Sequence, residues 1–133
     1  MSLKTFDFDD TLAMQDNSLN PIGEKHFRKC MENKDMIFIV TSRHFSPDSE
    51  KEILKFLKNN GLHALSVIFT EGNLKVRDLM IMGSTVHFDD DKRELEALEG
   101  TGIQGVNCFN NDLFVKLWKE EFGEEPDEGF DTL

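Results

Sequence analysis

A chain of 133 residues with 38% hydrophobic and 31% charged residues is long enough to bury the core of one globular domain. Its formal net charge of −11 argues against non-specific nucleic-acid binding, which needs a basic surface. Because the sequence has no signal-type segment and no apolar run near the ~20 residues that span a bilayer, we expect a cytoplasmic protein without a membrane partner.

The chain alternates between predicted strands and helices. The predicted strands cover residues 3–8, 36–40, 65–69, 85–88 and 103–109. The predicted helices cover residues 22–33, 47–60, 74–82 and 92–98, with a last helix capped at Asn111 or Asp112 and ending near Phe122. This alternation predicts a three-layer α/β, Rossmann-like domain around a parallel sheet of about five strands.

Acidic charge is concentrated at the carboxyl end of the chain. Seven of the 26 acidic residues lie from residue 120 onward, where there is no lysine or arginine, so residues 1–119 carry a net charge of −4. We predict one domain over residues 1–122 and an acidic, disordered tail over 123–133. A local basic rim that attracts an anionic substrate is compatible with these totals.

Three carboxylates, those of Asp7, Asp9 and Asp10, crowd the end of the first predicted strand. Because alternate side chains of a strand point the same way, we expect Asp7 and Asp9 to project together, with Phe6 and Phe8 on the other face. Two carboxylates ~4 Å apart repel by roughly 4 kcal/mol at an effective dielectric of ~20. A hard divalent cation would offset this repulsion. Alternatively, the acids simply cap the following turn.

Other polar residues fall at the carboxyl ends of later strands, the edge where open parallel sheets bind ligands. Thr41 ends the second strand, Asp89 and Asp90 end the fourth, and Lys75 begins the helix before the fourth. Arg43 lies near the predicted mouth of the site. The sequence leaves open whether Arg43 contacts a substrate or forms a surface salt bridge.

The remaining polar residues are assigned structural roles. Asp91 is predicted to cap a helix, and Thr11 to brace the turn that aims the neighbouring acids. His87 is interpreted as an ordinary strand residue. Cys30 and Cys108, which lack metal-type spacing, are predicted to be free, buried thiols in a reducing compartment.

The order of these residues resembles that of the haloacid dehalogenase superfamily, whose members are mostly phosphatases. Residues 6–12 (FDFDDTL) resemble the first motif of the family and residues 37–41 (IFIVT) the second. Lys75 resembles the third motif and residues 86–90 (VHFDD) the fourth. The likeness extends to about residue 118.

The resemblance implies a Mg²⁺-dependent phosphatase, a phosphoric monoester hydrolase that forms an aspartyl-phosphate. Asp7 would be the nucleophile and Asp9 the general acid and base. The catalytic residues would be Asp7, Asp9, Thr41 and Lys75, and the substrate contacts Thr41, Lys75 and Arg43. The Mg²⁺ ligands would be Asp7, Asp9 (through its backbone carbonyl), Asp89 and Asp90.

Neither residues 12–36 nor residues 42–74 leave room for the cap domain that many members of this superfamily carry. We therefore expect a site open to solvent. By analogy, the substrate is a large phosphorylated molecule, such as a protein or a nucleic-acid end, although a free nucleotide or sugar phosphate also fits. Two alternatives are a catalytically silent binding or regulatory module of the same fold and a receiver-like phospho-acceptor domain.

Overall fold

The structure is a computed structural model that describes residues 2–124. Within them lie five strands, β1 (Leu3–Phe6), β2 (Met36–Thr41), β3 (Ser66–Phe69), β4 (Val86–Asp89) and β5 (Gln104–Asn107). They alternate with helices α1 (Pro21–Glu32), α2 (Pro47–Asn59), α3 (Val76–Met82), α4 (Lys92–Glu96) and α5 (Asn111–Phe122). All strand pairs are parallel, in the order β3-β2-β1-β4-β5. The predicted α/β, Rossmann-like fold is confirmed, and residues 2–124 contain no cap domain.

The central strand β1 and its neighbour β4 direct aromatic side chains to one face of the sheet and hydrogen-bonding side chains to the other. Phe6 and Phe88 are register partners whose rings stack with centroids 4.2 Å apart. Phe27 of α1 packs on Phe6 at 4.8 Å. The next register pair, Thr5 and His87, points to the opposite face because strand side chains alternate. Aromatic packing against α1 thus leaves the other face of the same strands for polar groups.

A second apolar cluster closes the opposite face of the sheet. It contains Val40 of β2, Leu79 of α3 and Leu98, which follows α4. Right-handed crossovers place α1 and α2 on one face of this sheet and α3 and α4 on the other. The polar groups of β1 and β4 therefore meet the layer formed by α3 and α4.

Most element boundaries differ from the prediction by one or two residues, and two of the differences have a clear physical cause. β1 ends at Phe6 because the chain turns: the Phe8 carbonyl accepts hydrogen bonds from the N–H groups of Leu12 (2.9 Å) and Ala13 (3.1 Å). Strand alternation therefore does not extend to Asp9. The cap of α5 is Asn110, whose side chain accepts from a backbone N–H three residues on, and the predicted caps Asn111 and Asp112 are wrong.

The two cysteines are in the state that the sequence predicts. Cys30 and Cys108 are free and buried, and burial raises their pKa values to about 11 and about 12, so both thiols stay protonated at neutral pH.

No helix in the described part of the chain is long and apolar enough to cross a membrane. The predicted tail at 123–133 lies outside the described residues, apart from Gly123 and Glu124.

Helix α1 approaches the loop after β1 so closely that only glycine fits at one position. A Cβ on Gly23 would lie 1.9 Å from the carbonyl oxygen of Thr11. We expect Gly23→Ala to destabilise the protein by about 3 kcal/mol in urea unfolding, because backbone must move to relieve the clash. Lys25→Ala on the exposed side of α1 is the control. Equal stability of the two variants would show that the loop adapts freely.

Candidate functional site

Three carboxylates meet at the carboxyl edge of β1 and β4. One oxygen each from Asp7, Asp89 and Asp90 lies within 4.8 Å of the others. The strands are neighbours, and their pairing continues past β1 because the N–H of Asp7 donates to the carbonyl of Phe88 at 2.9 Å. Asp7 is 6% exposed and Asp89 is fully buried. Charges buried this deeply need compensation from a cation or a proton.

Lys75 supplies part of that compensation. Its Nζ lies 2.9 Å from Asp7 Oδ1 and 2.6 Å from Asp89 Oδ2. The buried carboxylate of Glu94 on α4 accepts a hydrogen bond from the Lys75 backbone N–H at 2.9 Å, and its other oxygen lies 3.9 Å from Nζ. Burial alone would lower the pKa of Lys75, but the two Asp charges outweigh it and raise that pKa. The lysine therefore stays charged in the cluster, and Glu94 is a contact that the sequence did not suggest.

A proton supplies the rest of the compensation. Burial, a hydrogen bond to Asp7 and nearby acids raise the pKa of Asp90 to about 9. Burial and the charge of Asp89 raise the pKa of Asp7 to about 6. The Thr11 hydroxyl lies 3.1 Å from an oxygen of each of Asp7 and Asp90 and donates its one proton to either. Burial and mutual repulsion thus favour a proton held between Asp7 and Asp90, chiefly on Asp90. Thr11 contacts both acids directly instead of only bracing the turn.

The donor set fits a hard divalent cation. Carboxylate oxygens are the protein ligands that Mg²⁺ prefers, and one oxygen from each of the three acids lies close enough to the others to contact a single ion. Asp7, Asp89 and Asp90 are the residues whose side chains are able to hold it.

We expect Mg²⁺ binding at pH 7 to release close to one proton, because Asp90 must ionise to act as a ligand. Affinity should rise with pH up to about 9, the pKa of Asp90 without metal, since protons compete with the cation below it. Calorimetric titrations in two buffers with different ionisation enthalpies measure the proton release. Asp90→Asn should remove it. Binding that is independent of pH from 6 to 9 would contradict this account of Asp90.

His87, interpreted from the sequence as an ordinary strand residue, forms two buried hydrogen bonds in the structure. Its ring is fully buried, with Nε2 2.8 Å from Asp89 Oδ2 and Nδ1 2.8 Å from Thr5 Oγ1. Burial favours a raised pKa for Asp89, but His87 and Lys75 outweigh it and hold that pKa below its usual range. Because ionised Asp89 only accepts, His87 Nε2 donates to it. The spacing of His87 and Asp89, two residues apart on one strand face, was the signal in the sequence.

Two substitutions of His87 separate its two hydrogen bonds. The Gln side-chain nitrogen reaches the position of Nε2, whereas the Asn nitrogen reaches that of Nδ1. We expect His87→Asn to weaken Mg²⁺ binding by about 10–100-fold and His87→Gln to weaken it much less, because only Gln still orients Asp89. Calorimetric titration with Mg²⁺ measures both. Equal losses would show that His87 acts only through packing.

The Asp9 carboxylate lies outside the cluster of three acids. Both of its oxygens accept from Arg43, Oδ2 from Nε at 2.8 Å and Oδ1 from Nη2 at 2.7 Å. The guanidinium also donates to Ser49 and Glu52 of α2, at 3.0 and 2.9 Å. These bonds, chiefly that to Asp9, raise the pKa of Arg43 further. Arg43 thus forms the salt bridge that was one of its two predicted roles, and Asp9 is left only its backbone carbonyl for a metal.

Thr41 ends β2 beside this pair. The side chain is buried, and its hydroxyl oxygen accepts from the Arg43 backbone N–H at 3.3 Å. Within residues 2–124, no acceptor takes the hydroxyl proton. Thr41 therefore keeps a hydrogen-bond donor available at the carboxyl edge of the sheet. Asp91, as predicted, caps α4 by accepting from the Arg93 N–H at 2.9 Å.

Fold and site together define an α/β protein with a buried lysine–carboxylate cluster that suits a divalent cation. Comparison of the sequence with protein-family models and with curated proteins finds no match. What the site does must therefore be inferred from the chemistry of its residues.

Proposed function

We propose that the chain is a Mg²⁺-dependent phosphatase of the haloacid dehalogenase type, which hydrolyses phosphate monoesters through an aspartyl-phosphate on Asp7. One observation carries the proposal: the Lys75 ammonium joins Asp7 to Asp89 inside a cluster of three acids at the carboxyl edge of the sheet. Asp7 and Lys75 are 68 residues apart, yet they meet where parallel sheets bind ligands. The motif order implies the same contacts.

Asp7 is suited to act as the nucleophile. Lys75 and Thr11 each hold one of its oxygens, which fixes the direction of the carboxylate. A pKa of about 6 leaves it ionised at neutral pH. One Asp7 oxygen bonds to phosphorus as the bond to the leaving oxygen breaks. Water then attacks phosphorus, the acyl-phosphate bond breaks, and inorganic phosphate leaves.

Negative charge on the phosphoryl group must be neutralised throughout. Bound Mg²⁺ supplies the cationic charge that allows the phosphate and the carboxylates to share the site. Asp7, Asp89 and Asp90 would hold it, with the Asp9 carbonyl as the implied fourth ligand. Lys75 adds a fixed positive charge, and the Thr41 hydroxyl donates to a phosphoryl oxygen.

Asp9 protonates the leaving oxygen and later accepts a proton from the attacking water. In the structure, both of its oxygens accept from the Arg43 guanidinium, so neither is available to a leaving oxygen or a water. Asp9 must therefore part from Arg43 at least once during turnover. The Nε and Nη2 groups of Arg43 are then free to contact the substrate.

The strand order argues against a receiver domain. Receivers order their strands 2-1-3-4-5, whereas this sheet has the order 3-2-1-4-5. β3 ends at Phe69, followed by Thr70, so it carries no acceptor acid. A silent binding module is less well supported, because every catalytic position that the motifs imply holds a functional residue.

Hydrolysis of phenyl phosphate, with Mg²⁺ and then with excess chelator, tests the proposal. Turnover that requires Mg²⁺ is the expected result. If no turnover occurs, beryllofluoride with Mg²⁺ provides an acyl-phosphate mimic whose binding is detectable as a rise in melting temperature. Absence of both turnover and stabilisation would overturn the proposal and favour the binding module.

A further inference from the structure

The outer face of α2 carries positive charge in an acidic protein. Lys51, Lys55 and Lys58 are exposed and lie on one side of the helix at spacings of four and three residues. No ion pair in residues 2–124 involves any of them. Their charge is therefore available to an anion from outside the chain.

Exposed apolar side chains lie among these lysines. Phe45 is 53% exposed and Leu54 is 45% exposed. With Pro47 and the three lysines they line a groove of about 680 Å³, which we call the lysine groove; Glu50 is its one acidic residue. Phe45 is held in place, since its ring packs edge-on with Phe69 at 5.3 Å between centroids. The groove thus presents a fixed aromatic ring beside a row of cations.

The lysine groove adjoins the proposed active site. Glu52, on the same helix, binds Arg43, and Arg43 binds Asp9. Phe45 follows Arg43 by two residues. Helix α2 begins at the carboxyl edge of the sheet and runs away from it, because it follows β2 and leads back to a parallel strand. A ligand in the groove would therefore extend outward from the site along α2.

We propose that the lysine groove binds a single strand of nucleic acid whose terminal phosphate enters the site, an inference that rests on the proposed phosphatase function. Single strands alternate flat apolar bases with anionic phosphates, and proteins bind them with aromatic rings beside a basic track. The three lysines span roughly 10 Å of helix at 1.5 Å per residue, enough for more than one phosphate. An acidic peptide would use the lysines but would leave the Phe45 ring without a stacking partner.

The net charge of −11 is compatible with this inference. Non-specific binding of long nucleic acid requires a broad basic surface, which the total charge opposes. A short contact with one strand end requires only the local charge of the groove. The absence of a cap domain in residues 2–124 leaves the site open to such a strand.

The test uses the full chain with Mg²⁺ present, Asp7→Asn to prevent turnover, and fluorescent ten-nucleotide single strands phosphorylated at the 3′ or the 5′ end. Fluorescence anisotropy measures the dissociation constant over a range of salt concentrations. Because each lost phosphate contact lowers the salt slope of single-strand binding by about 0.7, Lys51→Gln/Lys55→Gln should lower that slope by about 1.4. Phe45→Ala should weaken binding at an unchanged slope, since it removes stacking and no charge.

Lys25→Gln/Lys29→Gln is the matched control, because it removes two exposed lysines at the same spacing from α1. Its expected effect on oligonucleotide affinity is less than twofold. Equal effects of the two double variants, tighter binding of an acidic phosphopeptide than of the oligonucleotide, or no oligonucleotide binding would each overturn the inference.

Catalysis distinguishes this inference from the proposal on which it rests. In the α2 double variant, kcat/KM for the phosphorylated oligonucleotide, divided by kcat/KM for phenyl phosphate, should fall about tenfold. Turnover of phenyl phosphate without oligonucleotide binding would overturn the inference about the lysine groove and leave the phosphatase proposal standing. Oligonucleotide binding without turnover of any phosphate ester would overturn the phosphatase proposal and leave the lysine groove as a binding surface.

Discussion

Asp7→Asn should abolish turnover while leaving the fold intact. An amide is a poor nucleophile, so we expect kcat on phenyl phosphate to fall by a factor of about 10⁴ or more. Stability should be kept, because the substitution relieves repulsion from Asp89, and Lys75 retains its 2.6 Å contact with that residue. Steady-state kinetics and thermal unfolding measure the two effects.

Asp10→Asn is the matched control. It removes one negative charge from the same loop, and its positive φ of 64° is well tolerated by Asn. Turnover should persist in this control. If Asp7→Asn kept its turnover as well, the nucleophile would have to be sought elsewhere.

Lys75→Met should be strongly destabilising. The substitution leaves Asp7 and Asp89 buried without their shared cation, and breaking a buried ion pair in this way costs about 3–5 kcal/mol. Millimolar Mg²⁺ should restore part of that stability by binding to the carboxylate oxygens that the lysine no longer neutralises. Urea unfolding with and without Mg²⁺ measures both quantities.

A double variant shows whether charge is the cause. In Lys75→Met/Asp7→Asn one of the uncompensated carboxylates is also neutral, so the loss of stability should be smaller than in Lys75→Met alone. Strictly additive effects would mean that Lys75 stabilises the protein through packing and not through its charge.

Site residues at the carboxyl ends of neighbouring parallel strands were the easiest to predict. Asp7 directly follows β1, Thr41 ends β2 and Asp89 ends β4, and the carboxyl ends of parallel strands share one edge whatever the details of packing. Lys75 was assigned by motif order, and the structure places its ammonium among the acids. For these residues, strand periodicity and chain order carried the information.

Contacts that depend on tertiary packing were missed. His87 reaches Thr5 because β1 and β4 are neighbours in a given register, and Glu94 reaches Lys75 because α4 packs beside α3. Hydrophobic periodicity says nothing about such pairs. A polar residue two positions before an acid, on the inner face of a buried strand, is the pattern that would have revealed His87.

The conformation of the loop after β1 could not be predicted from strand alternation either. Alternation placed Asp7 and Asp9 together, but β1 ends at Phe6 and the Phe8 carbonyl begins a turn. The turn directs Asp9 toward Arg43. Without knowledge of this turn, the sequence could not decide whether Arg43 forms a salt bridge or contacts a substrate.

The most direct test of the central claim is detection of the covalent intermediate. The protein is mixed with excess phenyl phosphate and Mg²⁺, quenched in acid within the first turnover, digested and analysed by mass spectrometry. We predict a phosphoryl group on the peptide that contains Asp7, removable by hydroxylamine as an acyl phosphate should be. Turnover without a phosphoryl group on that peptide, or with one on another residue, would contradict the assignment of Asp7 as nucleophile.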